Sequence, residues 1–173
     1  WNIYSPCWAP VKMEQTSAGL ALVLRDKDPY DYAKAARLFP ATATGTVTFS
    51  VTPGQKSKGM LQVELQNAKN SPAIRLTFDT DGTLRAKSGA KFKNILQYEA
   101  GVSYTIRITF NTANRFYTVN INGKDALTQL TFAPVDGLDK IVFRTGMPRH
   151  FPNADTPAIQ REDLPNAGTP EEE

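Results

Sequence analysis

Apolar residues recur at every second position in run after run of this chain, with Gly, Pro, Asn and Asp between the runs. That pattern constrains the fold more than any other feature, because period two places successive side chains on opposite faces of a strand. In TVTFSVT, Val47, Phe49 and Val51 share one face and Thr46, Thr48 and Ser50 the other. MLQVELQ sets Leu61, Val63 and Leu65 against Gln62, Glu64 and Gln66, and AIRLTFD turns Ile74, Leu76 and Phe78 inward with Arg75 and Thr77 outward. SYTIRITF buries Tyr104, Ile106, Ile108 and Phe110; RFYTVNIN buries Tyr117, Val119 and Ile121; DKIVFR sets Ile141 and Phe143 opposite Val142. A slip of one residue would turn each apolar face to water, so the pairing register is well specified.

The turn chemistry agrees. Asp81-Gly82 is a hairpin signal, Asn111 to Asn114 links two long runs, Asn122-Gly123 ends the second, and Pro53-Gly54 ends TVTFSVT. DYAKAARLF is Ala-rich and tolerates a helix, but a helix so short and uncapped is marginal; it reads as a strand closed by Pro40. Many short antiparallel strands with frequent turns imply an all-β, two-sheet antiparallel sandwich. Residues 1–144 are expected to form this single domain, with 1–18 as an aromatic lead-in. Residues 145–173, with five prolines and little alternation, are expected to be an extended tail or linker.

The order of these motifs, GLALVLRD, AKAARLFP, GTVTFSV, GMLQVEL, IRLTFDTDGTL, GVSYTIRITFN and RFYTVNINGK, resembles the concanavalin A-like, or laminin G-like, jelly-roll modules. The resemblance spans roughly Gly19 to Arg144. Such modules accompany catalytic domains in secreted bacterial polysaccharide-degrading enzymes, including sialidase-like propeller hydrolases and lyases. Some members bind calcium and carbohydrate and others neither. The Glu-x-Asp-x-Glu strand of the enzymatic jelly rolls is absent from this sequence.

Composition closes off other classes. The 173 residues are 40% hydrophobic and 21% charged, and the net charge of +3 is scattered without the basic stripe of a nucleic-acid binder. One cysteine, Cys7, excludes an internal disulfide, and with the lone His150 it cannot complete a zinc site. No run of about eighteen apolar residues suggests a membrane span. An opening Trp1 and a closing Glu171-Glu172-Glu173 are read as a fragment or a mature form.

Four groups of residues are candidates for function. In RDKDPYDY, Asp26, Asp28 and Asp31 offer oxygens to calcium, but Arg25 and Lys27 oppose the ion and the spacing is not an EF-hand. The competing reading is a Pro29-fixed turn whose aspartates cap backbone amides, and no metal or other cofactor is expected. In the same stretch Tyr30 and Tyr32 could stack on a sugar ring. Arg37, Arg144 and Arg149, with His150, would suit a uronic or sialic acid if their strand ends converge; otherwise they hold the termini through ion pairs to Asp26, Asp28 or Asp139. Trp1, Tyr4 and Trp8 read as an interface to another domain. Glu14 and Glu64 fall on expected strands, but nothing pairs them as a glycosidase requires, so no catalytic residue is assigned.

The expectation is a noncatalytic accessory module of a secreted, periplasmic or cell-surface glycan-active protein. It would bind carbohydrate weakly or support a neighbouring domain, with no nucleic-acid or membrane partner. A jelly-roll glycoside hydrolase or lyase, and a pure protein-docking domain, are the alternatives.

Overall fold

A computed structural model describes residues 1–17, 19–28 and 31–146. These residues form β-strands and no helix: β1 (Asn2–Tyr4), β2 (Val11–Thr16), β3 (Gly19–Leu24), β4 (Lys34–Thr42), β5 (Thr44–Val51), β6 (Leu61–Gln66), β7 (Pro72–Phe78), β8 (Thr83–Ser88), β9 (Lys91–Gln97), β10 (Tyr104–Asn111), β11 (Phe116–Ile121), β12 (Lys124–Thr131) and β13 (Leu138–Thr145). One sheet has the order β1-β4-β13-β6-β7-β8-β9 and the second β12-β11-β10-β5, while β2 and β3 pair only with each other. All pairings are antiparallel.

The two large sheets pack face to face as the expected β-sandwich, and the alternation explains why. On β10, Tyr104, Ile106, Ile108 and Phe110 are buried while Thr105, Arg107 and Thr109 are exposed. They meet Val63, Leu65, Ile74, Leu76 and Phe78 of the facing sheet, with Val119 and Ile121 of β11 in the same core. Full burial of each such side chain is worth about 1.5–3 kcal/mol, so register and fold are locked together.

DYAKAARLF is a strand, as expected, but β4 runs through Pro40 to Thr42. Its N-terminal part lies between β1 and β13, whereas β1 reaches only to Ala36 and the β13 pairing shifts register between Leu38 and Thr42. Proline's missing N–H is tolerated at such an edge. A single residue, Ala43, then separates β4 from β5, so the chain passes from one sheet to the other at a sharp corner.

Three further points bear on the sequence reading. The N-terminal lead-in is structured, forming β1 and β2. The polar faces of β6 and β7 are not solvated: Gln62, Glu64 and Thr77 are all buried. Tail residues 147–173 lie outside the described part of the chain.

Candidate functional site

Because β4 and β5 diverge from the corner at Ala43 into different sheets, they leave a wedge between the sheets at one side of the sandwich. Phe39, Phe49, Phe110 and Phe143 line it, Phe49 and Phe143 edge to face at 5.3 Å between ring centroids. Gly45 permits this packing: a Cβ there would sit 3.1 Å from Cζ of Phe110. The cleft holds about 450 Å³, within the range of small-ligand sites.

Two residues singled out from the sequence stand at its mouth. Cross-strand pairing of Ile3 with Ala35 brings the start of β1 beside Arg37. There the Arg37 guanidinium lies over the Trp1 ring, 5.8 Å from its centroid, while Trp1 packs on Phe143 at 6.1 Å. Trp1 remains 56% exposed and Arg37 is exposed, so an aromatic ring and a cation stand at the rim. An aromatic surface and a forked cation beside an apolar floor suit a molecule with one apolar face and hydroxyl or carboxylate groups. None of the lining residues is Asp or Glu.

Arg144 is elsewhere. Pairing of β13 with β4 sets Ile141 opposite Arg37 and Arg144 opposite Lys34, so the two arginines project from opposite faces of the seven-stranded sheet. The expected convergence of Arg37 with Arg144 is therefore not formed. On the outer face, buried Arg144 donates to the Gln62 side chain and to the Gly146 carbonyl (2.7 Å), and approaches Glu64 at 3.8 Å. Glu64 also takes Arg75 Nε at 2.7 Å and the Gln66 amide at 2.6 Å. This network explains how Gln62, Glu64 and Arg144 are buried there: they satisfy one another. The partners of Arg144 thus include Glu64, Gln62 and the Gly146 carbonyl.

The stretch Arg25 to Tyr32 lies against the end of β13. Thr145 Oγ1 donates to Asp26 Oδ2 at 2.5 Å and accepts from the Ala33 amide at 2.8 Å. Asp26 Oδ1 accepts the Asp28 amide, and Asp31 accepts the Tyr32 amide and the Tyr4 hydroxyl at 2.8 Å. Burial raises the Asp26 carboxyl above its ordinary value, against the opposing hydrogen bonds from Thr145 and Asp28; the Asp28 and Asp31 charges add to the rise. Oxygens of Asp26 and Asp31 are thus directed at the chain's own donors, and no group of three or more potential metal ligands occurs among the described residues.

Tyr32 sits 5.3 Å from Tyr4 and beneath the Arg144 guanidinium at 5.7 Å, half-buried. Tyr30, Arg149 and His150 lie outside the described residues. Trp1, Tyr4 and Trp8 do not make one patch: Trp1 belongs to the cleft, Tyr4 to the outer face, and Trp8, 67% exposed, to the turn before β2. Glu14 pairs with Arg25 on the β2–β3 hairpin, far in topology from Glu64. The sequence reading missed Phe39, Phe49 and Phe143 as a cleft lining; their only signal was an aromatic at an alternate position in three separate strands.

The fold and this aromatic, cation-rimmed cleft together describe a jelly-roll binding module. The chain belongs to the sialidase-like carbohydrate-binding-module (CBM) domain family, whose model matches residues 1–160. It is 44% identical to a sialidase of known structure, with a TM-score of 0.84 over 91% of this chain and 14% of that one. The chain therefore spans about one seventh of that sialidase's length. The Bacillus licheniformis beta-glucanase is similar in fold only, at 12% identity and a TM-score of 0.50, covering 77% of this chain and 68% of that one. No curated protein sequence matches the chain.

Proposed function

We propose that this chain is a noncatalytic accessory module of a secreted or cell-surface, sialidase-type protein, and that it holds glycan at the cleft beside β1, β4 and β5. The observation that carries the reading is the exposed Trp1–Arg37 pair at the mouth of an apolar cleft, in a member of a carbohydrate-binding domain family. Trp1 offers a flat apolar surface to a pyranose ring. Arg37 offers a fork matched to a carboxylate, which favours acidic sugars over neutral ones. A cleft lined by neither a carboxyl side chain nor a tyrosine supports binding rather than hydrolysis, since glycosidases use a pair of acids or, in sialidases, a tyrosine nucleophile.

Titration calorimetry of the isolated chain with sialylated and uronic oligosaccharides tests this. Trp1→Ala and Arg37→Ala should each weaken binding about tenfold, the loss of one good stacking or charge-assisted contact. Absence of binding by the unaltered chain would sink the reading. Binding untouched by both substitutions would transfer the site to the outer face around Tyr32; Tyr30, Arg149 and His150, outside the described residues, are the remaining sequence candidates.

A further inference from the structure

We propose that the β2–β3 hairpin is a docking arm that seats on an apolar strip of a neighbouring domain of the same polypeptide. The inference rests on the reading that this chain is one module of a longer sialidase-type protein. Hairpin residues Val11–Thr16 and Gly19–Leu24 form a two-stranded sheet hydrogen-bonded to neither sheet of the sandwich. Register places Val11 opposite Leu24, Met13 opposite Leu22 and Gln15 opposite Leu20, so one face is almost entirely apolar. Met13 is 55% and Leu20 67% exposed, and Trp8 at the root is exposed to the same degree as Leu20. The other face carries Lys12 and the Glu14–Arg25 ion pair. A two-stranded hairpin is marginal in water by itself, and this one leaves the outer part of its apolar face, Met13 and Leu20, exposed while Val11, Leu22 and Leu24 are half-buried.

The arm is built to be held at a fixed angle. Its ladder continues past β2 and β3 through hydrogen bonds from the Arg25 amide to the Pro10 carbonyl and from the Lys27 amide to the Trp8 carbonyl. Asp26 then bonds the root to Thr145 at the end of β13. Such preorganisation lowers the ordering cost of docking.

The occupant follows from size. A stable dimer needs about 20–30 residues from each side, and the apolar face of this hairpin supplies five. A partner on the same polypeptide needs far less, because tethering raises its effective concentration to about the millimolar range. The related sialidase, of which this chain covers 14%, has ample polypeptide to supply that partner.

Hydrogen exchange measured on the isolated chain and on the full-length parent decides the matter. Amides of residues 11–16 and 19–24 should exchange at least tenfold more slowly in the parent. A Met13→Asp, Leu20→Asp double variant should abolish that extra protection while leaving binding of acidic oligosaccharide at the cleft unchanged. Equal exchange in both proteins would overturn the docking arm, and so would protection in the isolated chain that grows with its concentration, which would make a second copy the occupant. A parent reading frame with no further domain would instead overturn the accessory-module reading itself.

Discussion

Asp26 shows how one carboxyl answers to two demands. It clamps the arm's root to β13 through Thr145, yet it does so from a partly buried position beside two other aspartates. A carboxyl whose proton is held more tightly in the folded than in the unfolded chain loses stability as pH rises through its folded value. Acidification from neutral pH toward the ordinary aspartate range should therefore shift stability in favour of the unaltered protein over Asp26→Asn. Thermal unfolding of the two proteins across that range measures it; a gap in melting temperature that moves the other way would contradict the direction. Glu64 illustrates the opposite economy. Buried charge is tolerated there because Arg75, Arg144 and Gln66 all converge on it, which local sequence cannot display: the partners come from β7, β13 and β6. Alternation marked Glu64 as outward-facing correctly, and only the packing of its neighbours makes outward differ from solvated.

Among the elements, strands whose two faces differ sharply in polarity were readable, and those without that contrast were not. β10 and β11 alternate cleanly because one face is core and the other water. β9, KFKNILQ, is the last strand of its sheet and is largely exposed on both faces, so its sequence lacks the signal. β12 is interrupted by register shifts against β11 and by Gln129 at a φ of 53°, which break its period. Turn chemistry survived better. Asn122 and Gly123 adopt φ values of 51° and 85°, the pair of positive angles that a two-residue hairpin loop demands. Gly123→Val should cost about 1–2 kcal/mol, the penalty for a side chain in left-handed backbone. Denaturant unfolding should then show a lower midpoint with an unchanged slope. A drop in slope would mean that the change acts on the unfolded ensemble instead.

For the whole molecule, the two-sheet architecture was legible because each long alternating run votes for the same core. The cleft was legible only in parts. Trp1 and Arg37 were both singled out, but their meeting depends on β1 pairing with β4, a contact between a three-residue strand and a distant segment. The wedge itself depends on the single residue between β4 and β5, which separates two runs that sequence alone leaves unassigned to sheets. The same β1-β4-β13 order has a mechanical consequence. β1 and β13 flank β4 and run in the same direction, with Asn2 level with Val142 and Tyr4 level with Arg144. Tension applied through Trp1 and Gly146 would draw these strands in opposite senses along β4, loading both ladders in shear. Pulling at Thr83 and Gln97, partners at one end of the β8–β9 ladder, would open that ladder one bond at a time. Single-molecule stretching should accordingly find a higher rupture force for the first geometry.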